Sequence, residues 1–280
     1  MAVKRASQVK KSVWLTPQPT RGRRGTRAAS PAAGGAGGGA GGLDREVIVA
    51  AAVRLLDEQG EAKFSMRALA ARLDVTPMSL YWYVADKEDL LELALDVVSG
   101  EMELPRPEDG LGWQDGLRAL AVTWRAAMLA HPWAVRLFND YLNIGPNSVR
   151  YSARAVEMAR SSPLSEADAM AALSAIFQYA YGFTANEVNW QDKADAAGTT
   201  EEGLIEEITE AVLQVPSIAE SGALTERPKG PEAVLREQHF HRALDWMLTG
   251  MTASASRTGA SRTGSSRAGS SRAGSSQAPA

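Results

Sequence analysis

The sequence predicts an all-α protein, with a short three-helix domain near the N-terminus followed by a larger helical domain. Apolar residues recur at the spacing of amphipathic helices through the middle of the chain, with almost no strand-like alternation. Both ends are basic and of low complexity, which predicts disordered segments there. We therefore divide the chain into an arm, two helical domains and a tail, over residues 1–42, 43–90, 91–250 and 251–280.

Charge is distributed unevenly along the chain. Residues 1–42 contain eight Lys and Arg and residues 251–280 contain four Arg, with no acidic residue in either segment. The remaining 18 basic residues between them face all 33 Asp and Glu, a net charge of −15. An acidic body with basic ends indicates a nucleic acid or another polyanion as the partner.

The composition also excludes several classes of protein. The chain contains no Cys, so it forms neither disulfide bonds nor thiolate metal sites, which fits a reducing cytoplasm. No apolar run approaches the ~18 residues of a membrane-spanning helix. No apolar stretch follows Arg23 and Arg24, as a secretion signal would require. We therefore expect a cytoplasmic protein without a membrane contact.

The first domain has helical periodicity on both sides of a short central motif. The first predicted helix ends at Gly60 and carries the stripe Ile48, Ala51, Ala52, Leu55 and Leu56. A second helix begins after Asp86, ends near Gly100 and has the apolar face Leu91, Ala94, Leu95 and Val98. Each stripe predicts one helix with a single buried face.

The second domain continues the helical pattern to about residue 250. A helix that stops at His131 carries Leu117, Leu120, Ala121, Trp124 and Met128, and Pro132 begins another through about Asn143. After a helix over 146–161, Ser165 and Asp168 form a capping box that opens a long helix with Leu173, Ile176, Phe177, Ala180 and Phe183. Residues 201–214 and 232–249 predict the last two helices.

Residues 65–83 predict the element that carries function. Ser65 can cap a short helix whose inner face is formed by Met66, Leu69, Ala70 and Leu73. A turn at Asp74 and Val75 follows, and Thr76 and Pro77 begin a second helix with a capping residue and a proline. A helix, a turn of three or four residues and a second helix are typical of the helix-turn-helix that reads the major groove of DNA.

The outer side of this motif carries side chains suited to DNA. The second helix presents its N-terminus, where side chains and free N–H groups can reach bases or phosphates. Arg67 can pair with a guanine edge through two hydrogen bonds, and hydroxyl or ammonium groups can bind phosphate. The predicted contacts with double-stranded DNA are Ser65, Arg67, Thr76, Pro77, Met78, Ser79, Tyr81, Tyr83 and Lys87.

Residues 44–95 resemble the DNA-binding domain of the tetracycline-repressor (TetR) family of transcriptional regulators. The similarity rests on the stretches Ala51–Gly60, Ser65–Ala70 and Leu80–Val84, followed by Asp86-Lys87. These matches cover about 50 contiguous residues and are far more specific than a single dipeptide. By this resemblance, seven of the predicted contacts match positions that members of the family use on DNA: Arg67, Pro77, Met78, Ser79, Tyr81, Tyr83 and Lys87.

The rest of the chain resembles the family's actinobacterial branch more loosely, through Trp113, Trp124-Arg125 and His131-Pro132-Trp133. The resemblance implies a homodimer that pairs the helices near 165–190 and 232–249 and binds a pseudo-palindromic operator in the nucleoid. It also implies a repressor that a small-molecule effector releases from DNA. Asp74 stands where the family usually has Gly, and Asp tolerates the left-handed turn conformation better than most residues.

A small-molecule site is expected in the second domain, because a few polar groups within aromatic surroundings are typical of such sites. We expect no cofactor and no metal ion. His239 and His241 lie two residues apart on a helix and point about 200° apart, so they cannot chelate one ion from a single face. The predicted pocket, for an apolar or aromatic effector, comprises Trp124, Phe138, Phe177, Tyr181, Asn186 and Glu187.

The basic arm leaves two interpretations open. Residues 43–90 contain six Lys and Arg against nine Asp and Glu, a poor charge for a DNA surface. The arm can supply the missing attraction, with Arg21, Arg23 and Arg24 entering an A·T-rich minor groove. Otherwise the arm is a disordered tail, or the product of a start codon assigned too far upstream.

Other functions also stay open. The chain can instead be an architectural DNA-binding protein that needs no effector and binds through its basic tails. Residues 65–83 can be a helical hairpin within a bundle, although Tyr, Ser and Lys occupy positions where a core would use Leu. An enzyme is not expected, since no phosphate loop or nucleophile elbow is present; its remaining form is a hydrolase with buried carboxylates such as Glu187.

Overall fold

The computed structural model describes residues 12–15, 43–221 and 231–268, which contain helices and irregular segments but no strand, confirming the all-α prediction. Short 3₁₀ turns occupy Glu61–Lys63 and Pro107–Asp109. The helices are α1 (Arg45–Gln59), α2 (Met66–Arg72), α3 (Pro77–Leu80), α4 (Lys87–Gly100), α5 (Trp113–Ala130), α6 (Pro132–Leu137), α7 (Pro146–Arg160), α8 (Glu166–Ala197), α9 (Glu201–Leu213), α10 (Pro216–Ser221) and α11 (Glu232–Ala268).

Packing divides the chain into two compact units. Unit 1 comprises Met1–Met102 and Ala127–Tyr151, and unit 2 comprises Glu103–Ala126 and Ser152–Ala280. The helices α5 and α7 therefore contribute residues to both units. The domain boundary expected at residue 90 lies within α4, which packs against α1 and belongs to unit 1 along its whole length.

The core of unit 1 is built on α1 and α4. The stripe expected on α1 is fully buried, and α1 packs against α2, α4 and α6. The stripe expected on α4 is buried as well. Burying each Leu or Ile side chain contributes about 1.5–3 kcal/mol, so these two stripes supply much of the stability of the unit.

Helix α4 also buries acidic groups, which its apolar periodicity does not predict. Asp96 is buried, and its carboxylate accepts hydrogen bonds from the backbone N–H groups of Asn147 and Ser148 at 3.1 and 2.9 Å, in the first turn of α7. A Cβ atom on Gly145 would lie 2.3 Å from the Asp96 Oδ1 atom. Gly145 is therefore required for α7 to begin this close to α4.

Helix α6 is shorter than expected, since it ends at Leu137 rather than near Asn143. The backbone of Asn143 is left-handed, with φ at 49°. Its side-chain amide donates to the carbonyls of Phe138 and Tyr141 at 2.7 and 3.0 Å. These side-chain bonds satisfy carbonyls that a continuing helix would use, and so they favour a turn.

Unit 2 is organised along the 32-residue helix α8. The expected cap is present, because the Ser165 hydroxyl accepts from the Asp168 backbone N–H at 3.2 Å and donates to the Asp168 carboxylate at 2.6 Å. Gly198 ends the helix in a left-handed conformation. α8 packs against α9 and α11, and α9 follows the prediction to within one residue.

Parts of both terminal segments are described in the structure. Helix α11 continues to Ala268, past the expected end at residue 249. Its residues Phe240, Leu244 and Leu248 are buried. At the other end, residues 12–15 are ordered against unit 1. Among the described helices, none combines the length and the hydropathy of a membrane span.

His131 connects three elements of unit 1. It occupies the N-cap position of α6, as its neighbour Pro132 suggests, but its ring forms no capping bond. Instead Nδ1 lies 2.7 Å from the carboxylate of Asp57 on α1, and Nε2 lies 2.9 Å from that of Glu101 at the end of α4. Burial lowers the pKa of His131, but the hydrogen bonds to both carboxylates outweigh it, so the pKa is raised.

This raised pKa makes the stability of the protein depend on pH. A histidine whose pKa is higher in the folded state stabilises fully below its unfolded pKa of about 6.5, and loses that contribution as pH rises through its folded pKa. We expect the free energy of unfolding of the wild type, relative to that of His131→Gln, to fall over this interval. Urea unfolding of both proteins from about pH 5.5 to 9 measures the difference, and parallel curves would contradict the assignment.

Candidate functional site

The sequence around α2 and α3 folds as a helix-turn-helix in unit 1. The Ser65 hydroxyl caps α2 by accepting from the Ala68 N–H at 3.2 Å, and the Thr76 hydroxyl caps α3 by accepting from the Ser79 N–H at 3.3 Å. Asp74 takes the left-handed conformation that the turn requires, with φ at 53°. Each helix therefore starts at a side-chain cap, as the sequence predicts.

The residues expected to contact DNA lie on the accessible side of this motif. Six of the nine are exposed, with Met78 exposing 68% of its surface and Tyr81 46%. Ser79, Tyr83 and Lys87 are half-buried. No ion pair of Arg67 occurs in the described part of the chain, so its guanidinium can bind an external acceptor. The nine residues form a candidate DNA-binding surface.

Some of the nine also make polar contacts within the protein, besides the two helix caps. The Lys87 ammonium lies 3.6 Å from the Glu61 carboxylate and 5.7 Å from the centre of the Phe64 ring. The Ser79 hydroxyl lies 2.9 Å from the Thr76 hydroxyl. A phosphate at Lys87 would therefore compete with Glu61, an exposed pairing that costs little to break.

Trp82 is a candidate contact that the sequence analysis missed. Its side chain is 77% exposed, more than that of either neighbouring tyrosine. The signal was present in the spacing, because Leu80 and Val84 lie four residues apart and are both buried. With helical spacing, the residue midway between two buried positions one turn apart points away from the core. A large exposed aromatic side chain is also rare unless it meets a partner.

The acidity of the N-terminal domain is partly neutralised next to this surface. Glu58 at the end of α1 forms a two-pronged pair with Arg72 at the end of α2, with Arg72 Nη2 lying 2.6 Å from Glu58 Oε1. The hydrogen bond with Arg72 lowers the pKa of Glu58. Glu61 is paired with Lys87, as described above. Neither carboxylate therefore presents an unpaired negative charge to an approaching phosphate.

Three of the residues expected in a ligand pocket meet in unit 2. Trp124 of α5 is buried, and its ring contacts that of Phe177 edge-on, with 5.6 Å between the centroids. The Tyr181 ring lies 6.1 Å from the Trp124 ring. Phe177 and Tyr181 stand one helical turn apart on α8 and are both half-buried. We call these three rings the aromatic cluster.

The other three predicted pocket residues do not belong to the aromatic cluster. Glu187 is buried in an ion pair with Arg125, at 2.9 Å, and lies 3.4 Å from Arg236. Asn186 is exposed, and Phe138 belongs to unit 1. The carboxylate of Glu187 is therefore neutralised by protein cations rather than free for a ligand.

Arg125 is the central polar residue of unit 2 and was missed as such by the sequence analysis. It is buried, pairs with Glu187 and Glu237, and lies 4.8 Å above the centre of the Phe240 ring. Phe240 also stacks on Tyr179, whose hydroxyl donates to the Phe240 carbonyl at 3.0 Å. Burial raises the pKa of Tyr179 to about 12. The sequence did contain a signal for this role, because Arg125 places a charged side chain on the apolar face of α5, directly after Trp124.

Two further predictions concern the rest of the chain. Arg21, Arg23 and Arg24, the proposed minor-groove contacts, lie outside the described residues. Within the described ranges, no group of three or more His, Asp and Glu side chains is arranged to hold a metal ion. His241 instead contacts Glu237, one turn earlier on α11, at 2.7 Å.

Two protein-family models match the chain, one over the N-terminal domain and one over the C-terminal domain. Residues 48–94 match the bacterial regulatory proteins of the tetR family, and residues 104–255 match the tetracyclin repressor-like C-terminal domain. An HTH-type transcriptional regulator of Saccharopolyspora erythraea is 35% identical over 213 residues, which cover 76% of this chain and 86% of that protein. The HTH-type transcriptional repressor DrrR1 of Streptomyces coeruleorubidus is 29% identical, over 75% of this chain and 76% of that protein.

Solved structures share the fold. The TetR family protein ActR of Streptomyces coelicolor, in complex with actinorhodin, aligns with a TM-score of 0.62 at 24% identity, over 77% of this chain and 99% of ActR. A possible TetR family transcriptional regulator of Streptomyces coelicolor aligns with a TM-score of 0.58 at 28% identity, over 75% of this chain and 99% of that one. With both domains matched and the helix-turn-helix in place, the chain belongs to the TetR family of DNA-binding transcriptional regulators.

Proposed function

We propose that the chain is a homodimeric repressor that binds a pseudo-palindromic operator through α2 and α3 and leaves it when a small apolar or aromatic ligand binds in unit 2. It acts on chromosomal DNA in the cytoplasm and has no catalytic activity. The observation that carries the proposal is the capped α3 with Met78 and Tyr81 exposed, together with an exposed Arg67 on α2 that forms no ion pair with any described residue. The repressor name of DrrR1 and the ligand complex of ActR are consistent with it.

The candidate DNA-binding surface suggests a division of labour on DNA. Helix α3 has only four residues, so its exposed Thr76, Pro77 and Met78 all belong to the end that enters the major groove. Arg67 supplies two parallel donors for a guanine, while the Tyr81 and Tyr83 hydroxyls hold phosphates. Arg21, Arg23 and Arg24 add contacts in the neighbouring minor groove, where each neutralised phosphate steepens the salt dependence by about 0.9 log units.

An exposed row of small residues supports dimerisation through α8. The residues 171, 175, 178 and 182 follow helical spacing on α8, are all exposed and include Ala171, Ala175 and Gly182. Small residues let two helices approach closely. On α11, Trp246 is 70% exposed, and exposed tryptophans are enriched where proteins associate. Both helices thus keep an apolar surface that a second copy can cover.

The aromatic cluster supports ligand binding in unit 2. Phe177 and Tyr181 keep part of their surface accessible while Trp124 forms a rigid base beneath them. The helices α5 and α7 contribute residues to both units, so a ligand that shifts either helix also acts on unit 1. To change the protein from almost fully DNA-competent to almost fully incompetent, the ligand must favour the second state by about 5.5 kcal/mol.

Arg67→Ala tests the DNA-binding surface. With an operator selected from a pool of random duplexes, we expect this variant to bind about 5- to 150-fold more weakly, equivalent to about 1–3 kcal/mol, and to lose preference at one base pair. Electrophoretic mobility shift at several salt concentrations measures both effects. Arg160→Ala, which removes an exposed charge in unit 2, should keep the preference. If the wild type shows no sequence preference and its affinity depends only on residues 1–42, the architectural alternative replaces the repressor.

Ala175→Arg tests the dimer. A long charged side chain in the row of small residues should separate the α8 helices and leave a monomer at micromolar concentration, because an unpaired charge is costly to bury in an interface. Analytical ultracentrifugation measures the mass, and operator affinity should fall with it. Ile208→Arg, at an exposed position on α9, is the matched control. A dimeric Ala175→Arg protein would place the interface elsewhere.

Tyr181→Ala tests the ligand site. For a small aromatic compound that releases the wild type from its operator, we expect at least ~10-fold weaker binding, with operator affinity unchanged when no ligand is present. Calorimetry and the mobility-shift assay give the two values. Trp190→Ala removes a half-buried aromatic ring further along α8 and should leave both unchanged. A compound that binds tightly without weakening operator affinity would contradict ligand-gated release.

A further inference from the structure

A short N-terminal segment, Ser12–Leu15, is ordered although the sequence predicts no structure there. It forms a turn in which the Leu15 backbone N–H donates to the Ser12 carbonyl at 3.0 Å. Val13 is only 2% exposed and Ser12 is buried, whereas Leu15 is 61% exposed. The segment therefore inserts the Val13 side chain and the Ser12 hydroxyl into unit 1, leaves Trp14 half-buried and leaves Leu15 in solvent.

Both carboxylate oxygens of Glu92, on α4, accept hydrogen bonds from this segment. The Ser12 hydroxyl donates to Oε1, and the Val13 backbone N–H donates to Oε2 at 2.8 Å. The Trp14 N–H in turn donates to the Ser12 hydroxyl oxygen at 3.2 Å, which completes a small network. Recognition thus combines the backbone of the turn with one specific side chain.

The burial of Glu92 makes these bonds important. Its side chain is only 5% exposed, and the flanking Leu91 and Leu93 on α4 are buried as well. A carboxylate in such surroundings is costly unless hydrogen-bond donors face it. The segment supplies a donor to each oxygen, so Glu92 and the turn are chemically complementary.

The surroundings of Glu92 are acidic. The half-buried hydroxyl of Tyr141 has a raised pKa, first because of burial and then because of nearby carboxylates. Those carboxylates belong to Glu88, Asp140, Glu61 and Glu92. In the sequence, two lysines at positions 10 and 11 directly precede Ser12. The two lysines give this part of the sequence a positive charge, and acidic surroundings favour the capture of such a sequence over a neutral one.

We propose that Glu92 is the centre of a peptide-docking site on unit 1, and that its occupant is the Ser12–Leu15 segment of the same chain. Docking attaches the N-terminal arm to the folded protein at a second point, in addition to its covalent connection to α1. The stretch from residue 16 to residue 42 is then tethered at both ends.

The consequence for DNA rests on the proposed function. Arg21 follows Leu15 by six residues, so a docked segment keeps Arg21 within about 20 Å of Leu15. Through Asp44 alone, 23 residues away, the same arginine could lie up to about 80 Å from α1. Confinement raises the effective concentration of the arm's cations near unit 1, and therefore near bound DNA.

Hydrogen exchange of the full-length protein without DNA tests the docking itself. In the wild type, we expect amides of residues 12–15 to exchange at least ~10-fold more slowly than in a synthetic peptide of the same sequence. Val13→Asp places a charge beside Glu92 and should abolish this protection. Leu15→Asp adds the same charge at the exposed position and should preserve it. Exchange in the wild type as fast as in the free peptide would overturn the proposal.

Glu92→Gln tests the other side of the contact. The amide can accept one hydrogen bond but turns an N–H group toward the second donor, so we expect protection of residues 12–15 to fall at least ~10-fold. Protection of the amides of α4 should persist, showing that unit 1 stays folded. Unchanged protection at residues 12–15 would remove Glu92 from the site. If protection disappears on dilution in parallel with dissociation of a dimer, the segment comes from a second copy, and the same-chain tether is wrong.

Operator binding tests the consequence separately. Val13→Asp and Leu15→Asp change the net charge equally, so charge alone predicts equal affinities. We expect Val13→Asp to bind at least ~5-fold more weakly, with a shallower salt dependence, because its arm is attached at one end only. Equal affinities would overturn this consequence of docking. A wild type that shows protected residues 12–15 but no operator preference would contradict the proposed function alone.

Discussion

The structure of unit 1 depends on the burial of two carboxylates on α4. Glu92 and Asp96 lie one helical turn apart on a helix whose other buried residues are four leucines, Ala94, Val98 and Ser99. Neither carboxylate can stay buried without donors, because an unsatisfied charge in such surroundings costs several kcal/mol. Their donors come from the first turn of α7 and from Ser12–Leu15. α4 therefore determines where two remote segments of the chain must lie.

The C-terminal end of α4 is held in a similar way. His131 links Glu101 at this end to Asp57 on α1, and Trp133 donates to the same Asp57 carboxylate at 2.7 Å. Hydrogen bonds to charged groups have strict geometry and are roughly twice as strong as neutral ones. α4 cannot slide along α1 without breaking them, so its position is fixed more narrowly than apolar packing alone would require.

Helix α3 of the candidate DNA-binding surface, unlike α4, is held in place by only a few contacts. Helix α3 has four residues, far fewer than an isolated helix needs in water. It depends on the Thr76 cap, the left-handed turn at Asp74 and the burial of Leu80. These few fixed points leave Met78, Tyr81 and Trp82 exposed. Stability and recognition are thus assigned to different residues of one short motif.

A buried ion pair connects three helices of unit 2. Arg125 on α5 joins Glu187 on α8 and Glu237 on α11. A buried pair adds little net stability, but removing one partner costs about 3–5 kcal/mol, so the pair determines how the three helices align. The aromatic cluster lies on two of these three helices, α5 and α8. Its rings are therefore presented by a framework whose register is already set.

The sequence by itself determined most of the helices, several of their caps and the faces that α1 and α4 bury. The stripes on α1 and α4, the caps at Ser65, Thr76 and Ser165 and the helix-turn-helix all follow from local spacing and local hydrogen bonding. The outward position of Trp82 was also contained in the spacing of Leu80 and Val84. These features depend on residues at most one or two turns apart, which is why one sequence suffices to predict them.

Only the tertiary structure decided which polar groups meet. The partners of Asp96, Arg125, His131 and Glu92 lie 52, 62, 74 and 79 residues away in the sequence. Periodicity marks a face as buried, but it does not identify the donor that a buried acid will find there. For the same reason composition predicted disorder over residues 1–42, although Ser12 and Val13 fit a carboxylate on α4. That complementarity arises from the folded shape of unit 1, and no local pattern in the arm records it.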